Sequence, residues 1–135
     1  MRFDHVGINV ADLSGMTDWY VAALGLRVEF EFALGQFDFS GAMLRSPDGY
    51  RVELLHRVGN TAGIQVARPL DAPLTRGLGH LALTVDDLEG AHRDLVAAGA
   101  TERMPPSESP EPGVWIAFVA DPEGNLIELV DRSAS

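Results

Sequence analysis

The sequence predicts an α+β fold of two tandem βαβββ modules whose mixed sheets form a trough, with the helices on the outer face. Three observations predict it. One constant offset relates the two halves of the chain. Within each half the apolar pattern passes from the two-residue period of a strand to helical spacing and back to strands. Matched proline–glycine turn signals close each half.

The repeat comes first. An offset of 75 residues lays Asp4-His5-Val6-Gly7-Ile8-Asn9-Val10-Ala11-Asp12-Leu13 on Gly79-His80-Leu81-Ala82-Leu83-Thr84-Val85-Asp86-Asp87-Leu88. The same offset pairs Pro47 with Pro122, Gly49 with Gly124 and Glu53 with Glu128. Chance similarity does not hold one offset over half a chain, so the reading is one domain over 1–135. Its first module covers about 1–56, its linker 57–76 and its second module about 77–133.

Each element follows in order. Residues 3–10 alternate, with Val6, Ile8 and Val10 on one face and His5, Gly7 and Asn9 on the other, which predicts a half-buried strand. Asp12 or Ser14 caps a helix whose apolar positions are Leu13, Met16, Trp19, Tyr20, Ala23 and Leu24, and Gly25 ends it. Residues 27–32 and 37–45 read as strands, 46–49 as a turn and 50–56 as the last strand. The second half repeats this, with strand 78–85, helix 88–98 ended by Gly99, strand 114–120, a turn and strand 126–131. The stretch 105–113, with Pro105, Pro106, Pro110 and Pro112, reads as a stiff connection rather than a mobile flap.

Composition excludes several function classes. The net charge of −10 repels phosphate backbones, so no nucleic-acid partner is expected. All ten basic residues are arginine, which removes Schiff-base chemistry and a phosphate-cradling lysine. The absence of cysteine removes disulfides, thiolate nucleophiles and Cys-type zinc sites. No apolar run reaches membrane-spanning length and no secretory h-region opens the chain, so the protein is expected to be cytoplasmic with no membrane partner.

Alternation then makes a statement about four residues. Val6, Ile8 and Val10 must cover the helix, so His5 faces away from it. Val52 and Leu54 cover the helix, so Glu53 faces away too. Leu81, Leu83 and Val85 place His80 in the same way, and Ile127 and Leu129 so place Glu128. If the two sheets meet in one trough, two imidazoles and two carboxylates meet there. Such a set suits one divalent ion of zinc, nickel, cobalt, manganese or iron, and leaves a position open for water or substrate. Singly, His5 reads as a hydrogen-bonded structural histidine and Glu53 as a solvated strand residue; the matched repeat positions favour ligation. His56 reads as a rim residue and His92 as a solvated one. Trp19 and Tyr20 read as helix core. Phe37, Phe39 and Trp115 are candidates for a substrate pocket, or else core.

These motifs resemble the vicinal oxygen chelate superfamily, which includes glyoxalase I, methylmalonyl-CoA epimerase, extradiol dioxygenases, fosfomycin-resistance transferases and bleomycin-binding proteins. The resemblance covers nearly the whole chain. It is carried by residues 4–10, by Gly79-His80-Leu81-Ala82-Leu83 and by the stretch 118–129, Phe118-Val119-Ala120-Asp121-Pro122-Glu123-Gly124-Asn125-Leu126-Ile127-Glu128-Leu129. Its implied ligand order for glyoxalase I-like members, His-Glu-His-Glu, matches His5, Glu53, His80 and Glu128. The activity implied is a lyase, isomerase or epimerase step. A proton leaves a carbon next to a carbonyl through a metal-bound enediolate or enolate, with Glu53 or Glu128 as the base. Glutathione-using members tend to carry an arginine four residues after the first histidine; here that place is Asn9, and its repeat mate is Thr84. Arg51 shares the face of Glu53 and could supply charge, as could Arg27 or Arg45. The resemblance also implies a homodimer and a small-molecule substrate. Two alternatives use the same residues: an iron-dependent extradiol-type dioxygenase on His5, His80 and Glu128, and a non-catalytic small-molecule binding protein.

Overall fold

The structure is a computed structural model and describes residues 1–133. Ala134 and Ser135, the end of the domain expected over 1–135, lie outside the described residues. The backbone divides into two compact units, Met1–Ala62 and Gly63–Ser135, and the division falls inside the expected linker.

The first unit runs β1 (Val6–Asn9), α1 (Leu13–Leu24), β2 (Arg27–Leu34), β3 (Phe39–Arg45) and β4 (Arg51–Arg57). The second runs β5 (Leu81–Thr84), α2 (Leu88–Ala97), β6 (Thr101–Glu108), β7 (Trp115–Ala120) and β8 (Leu126–Asp131). The sheets have one topology, β1-β4-β3-β2 and β5-β8-β7-β6. In each, the first strand pairs parallel with the last and the other pairs are antiparallel. The predicted βαβββ modules are therefore present twice, each with a mixed four-stranded sheet.

Both helices begin alike. Asp12 caps α1 by accepting from the Gly15 amide, and Asp87 caps α2 by accepting from the Gly90 amide, each at 3.0 Å. A Cβ at Gly15 or Gly90 would collide with the capping carboxylate. The glycine three residues after the cap is thus a further mark of the repeat, one that alternation of apolar residues does not reveal. α1 ends at Gly25, whose φ of 67° only a residue without Cβ adopts without strain.

Each helix covers one face of its sheet. In the first unit Val10, Ala42, Leu44, Val52 and Leu54 are buried with Met16 and Tyr20 of α1. In the second, Ala117, Val119, Ile127 and Leu129 are buried with Leu88 and Leu95 of α2. Removing such side chains from water stabilises each unit by about 1.5–3 kcal/mol per large apolar residue.

Four expectations are corrected. First, β1 and β5 start at Val6 and Leu81, so His5 and His80 sit at the strand entries and not inside the strands. Second, part of the stretch 105–113 is strand, because β6 runs through Pro105 and Pro106. It is the sheet edge, and the register with β7 shifts between Met104 and Ser107, the two settings in which a strand accommodates proline. Third, the second half of the linker is core: Val66 and Ala72, the latter in a 3-10 turn over Pro69–Leu74, pack with Val114, Ile116, Phe118, Leu126 and Val130. Fourth, His92 is buried and its Nε2 lies 3.2 Å from Glu102 Oε2. The buried stripe Leu88, His92, Leu95 follows i, i+4, i+7, so His92 faces the sheet despite its charged neighbours Arg93 and Asp94.

His56 is half-buried within β4 and its Nδ1 lies 3.0 Å from the Val10 carbonyl, which also accepts from Asn60 at 2.9 Å. Its work is to satisfy backbone rather than to line a rim. The closing turn of the second unit is held by Asp121, 2% exposed, whose carboxylate accepts from the amides of Glu123 and Asn125 and from the Asn125 side chain. Among the described residues no helix is long and apolar enough to cross a membrane.

Candidate functional site

Each unit carries one histidine–glutamate pair on the sheet face opposite its helix. Glu53 sits in the middle of β4, with Gly7 beside it on β1 and Met43 beside it on β3. His5 lies two residues before Gly7 and so shares that face. Because Gly7 has no side chain, nothing on β1 stands between the imidazole and the carboxylate, and His5 Nε2 lies 3.6 Å from Glu53 Oε1. In the second unit Glu128 has Ala82 and Phe118 as its neighbours on β5 and β7. His80 Nε2 lies 2.9 Å from Glu128 Oε2, and the imidazole meets the Phe118 ring edge to face at 5.3 Å. Both carboxylates are about one-fifth exposed, so they are sheltered but reachable.

The surroundings of the two pairs differ. Glu53 borders a charged row. The Arg51 guanidinium donates to both carboxylate oxygens of Glu29, at 2.7 and 3.0 Å, and approaches Asp4 at 3.7 Å. Arg45 reaches the same Glu29 carboxylate at 3.5 Å. Asp4 in turn holds His5 Nδ1 at 2.6 Å. The hydrogen bond to Asp4 is the main reason the His5 imidazole is held above its ordinary pKa, with the Glu53 and Asp4 charges adding to it against desolvation. The same bond lowers Asp4. Bonding to Glu29 first, and its charge next, raises Arg51 further. Glu128 lies on the face that carries Phe118, Leu126 and Val130, part of the apolar cluster that the former linker covers, and its charge reaches Arg132, which Glu111 pairs at 2.6 Å.

The other expected residues are placed as follows. Asn9 is exposed on the Glu53 face, opposite Leu55, and Thr84 is exposed on the Glu128 face, opposite Val130. Arg51 is on the Glu53 face but engaged by Glu29. Phe39 alternates onto the Glu53 face, and its ring lies 5.8 Å from that of Phe32. Phe37 is in a 3-10 turn, with the Arg57 guanidinium 5.8 Å over its ring. Trp115 is a correction: on β7 it shares its face with Ala117 and Val119, the helix side, and so points away from Glu128. A groove lined by Ser14, Thr17, Asp18, Glu31 and Ser40 lies between α1 and β2–β3, on the opposite side of the sheet from Glu53.

Asp4 and Glu29 were not among the expected site residues. The signal for Asp4 was its place beside His5, but its repeat mate is Gly79, and a search for matched pairs passes over it. Among the described residues no group of three or more metal-type side chains is gathered; the donors come as one pair in each unit.

The chain is similar to known proteins over nearly its whole length. The chain is 26% identical to a lactoylglutathione lyase of Arabidopsis thaliana over 97% of its length, but spans only 44% of that relative. It is 28% identical to a probable lactoylglutathione lyase of Vibrio cholerae, covering 97% of this chain and 91% of that one. It is also 29% identical to a biphenyl-2,3-diol 1,2-dioxygenase of Rhodococcus globerulus, covering 99% of this chain and 65% of that one. In fold it matches glyoxalase I from Zea mays with a TM-score of 0.77 at 23% identity, over 99% of this chain and 45% of that one. A model of the glyoxalase/bleomycin resistance protein/dioxygenase superfamily matches residues 2–129, and the chain belongs to that superfamily.

Proposed function

We propose that the chain is a metal-dependent enzyme of glyoxalase or epimerase type that moves a proton at a carbon next to a carbonyl. The observation that carries this reading is the His–Glu pair made twice, at matched positions on the face each helix leaves open. Two imidazoles and two carboxylates are a donor set that fits one divalent zinc, nickel, cobalt, manganese or iron ion, with His5, Glu53, His80 and Glu128 as its ligands in one trough. A bound cation of this kind supplies Lewis-acid stabilisation of negative charge growing on the carbonyl oxygen, worth several kcal/mol. Glu53 or Glu128 takes the proton and returns it. The lactoylglutathione lyase names of several relatives support a lyase step. The test is deuterium incorporation next to the carbonyl of α-hydroxyketones or 2-substituted acyl thioesters in D2O under argon. The dioxygenase relative favours a second reading, iron on His5, His80 and Glu128, and an absolute requirement for oxygen in that experiment would select it.

The substrate is not expected to be the glutathione adduct of methylglyoxal. Asn9 offers no charge to an anionic peptide, and Arg51 and Arg45 are already paired by Glu29. Turnover of that adduct should fall well below a kcat/KM of ~10⁴ M⁻¹s⁻¹, the lower end of the usual enzyme range. Steady-state kinetics reaching that range would overturn the expectation.

The same reading includes a homodimer. β2 is a sheet edge, and Val28, Phe30 and Leu34 on it are exposed. Edges of this kind invite pairing with a second copy. Sedimentation at micromolar concentration should show a dimer, and a monomer alone would count against it.

A further inference from the structure

We propose that Asp4 is a positioning residue that fixes His5 in the Nδ1–H tautomer and so presents Nε2 to the cation, an inference that rests on the metal reading above. A neutral imidazole has one donor nitrogen and one acceptor nitrogen, and its surroundings decide which is which. The Asp4 carboxylate can only accept, and it lies 2.6 Å from His5 Nδ1. The proton therefore sits on Nδ1, and the lone pair is on Nε2, the nitrogen that faces Glu53. Nε2 stands 3.6 Å from Glu53 Oε1, so the nitrogen and the carboxylate face one another across a short gap.

Asp4 does not stand alone. Arg51 approaches its other oxygen at 3.7 Å, Glu29 grips Arg51 with both oxygens, and Arg45 reaches Glu29. The chain of contacts thus runs from three strands to the imidazole at the entry of β1. Its repeat mates are Gly79 for Asp4, Leu126 for Arg51, Met104 for Glu29 and Ala120 for Arg45, so the second unit lacks every member. There His80 Nε2 lies 2.9 Å from Glu128 Oε2, with no carboxylate neighbour in sequence to take the place of Asp4. Only His5 is set for a cation in advance by this network. Outer partners of this kind orient metal-binding histidines in proteins generally.

The experiment uses the full chain with 15N-labelled imidazoles, free of metal, at a pH where the rings are neutral. Ring 15N shifts should show His5 as Nδ1–H. Asp4→Ala should move His5 toward Nε2–H, leave the His80 signals in place as the measure of an intact fold, and weaken binding of Zn²⁺ about 10–100-fold in a chelator competition. An Nε2–H His5 in the wild type, or unchanged tautomer and Zn²⁺ affinity in Asp4→Ala, would overturn the proposal. His5→Ala serves as the control. If it loses Zn²⁺ while Asp4→Ala does not, the metal reading stands and the positioning role fails; if it keeps Zn²⁺ in full, both fail.

Discussion

His5→Ala or His80→Ala should strip the protein of the roughly one divalent ion expected per pair of modules. Each substitution should lower affinity by at least ~100-fold, on a scale where even outer-shell partners are worth about 10–100-fold. The reason is the chemistry of the pair. A sheltered carboxylate left without its imidazole still attracts cations, but the set then keeps only one of the two nitrogen ligands that favour zinc or nickel over calcium or magnesium. Loading should also depend on pH in a definite direction. The Asp4 hydrogen bond, with the nearby carboxylate charges, holds His5 above its ordinary value, so its proton persists to higher pH. The metal requires the unprotonated ring, and occupancy should fall as pH drops through that raised value. Metal analysis after gel filtration reads both effects. Full metal content in both variants would remove His5 and His80 from the ligand set.

Much of this was legible because a period of two is a strict rule. Once Val52 and Leu54 must cover the helix, Glu53 has no other face to take, and the paired ladders bear this out residue by residue. The same rule put Ile127 and Leu129 beneath α2 and left Glu128 open. What escaped lies where alternation is silent. Residues 105–108 read as a loop because two prolines argue against a strand, yet an edge strand has one side with no partner to lose. Val66 and Ala72 looked like linker because their burial depends on a sheet fixed elsewhere in the chain. The charged neighbours Arg93 and Asp94 give His92 a solvated look in sequence, while the helical stripe of Leu88, His92 and Leu95 buries it. Trp115 was placed by residue type, and its own alternation with Ala117 and Val119 puts it on the helix side.

The site was legible as two pairs and illegible as a network. Repeat matching finds what the two halves share, and the Asp4–Arg51–Glu29–Arg45 contacts occur in one half alone. That asymmetry has a consequence for chemistry. Glu53 borders a row of paired charges, whereas Glu128 shares its face with apolar residues and has within electrostatic reach the Arg132 cation, which Glu111 pairs at 2.6 Å, so the two carboxylates are not equivalent candidates for the same task.

Glu53→Gln and Glu128→Gln should each slow deuterium incorporation next to the carbonyl, by about 10²–10⁴-fold for the carboxylate that serves as base, while largely sparing metal content. Glutamine keeps the shape and one oxygen donor of glutamate but cannot accept the proton, so the substitution separates holding a cation from moving a proton. The argument turns on Glu53. A set of His5, His80 and Glu128 suffices for chemistry in which oxygen and substrate share the metal, and a second carboxylate would crowd that space. Proton transfer has a use for it, because a carboxylate freed when substrate binds remains beside the C–H it must open. The lesser role for Glu53 is to balance the charge of the cation, in which case Glu53→Gln would alter metal affinity and leave exchange intact. Exchange followed by mass spectrometry under argon decides among these. Activity that appears only with oxygen, or that survives both substitutions unchanged, would sink the proton-transfer reading.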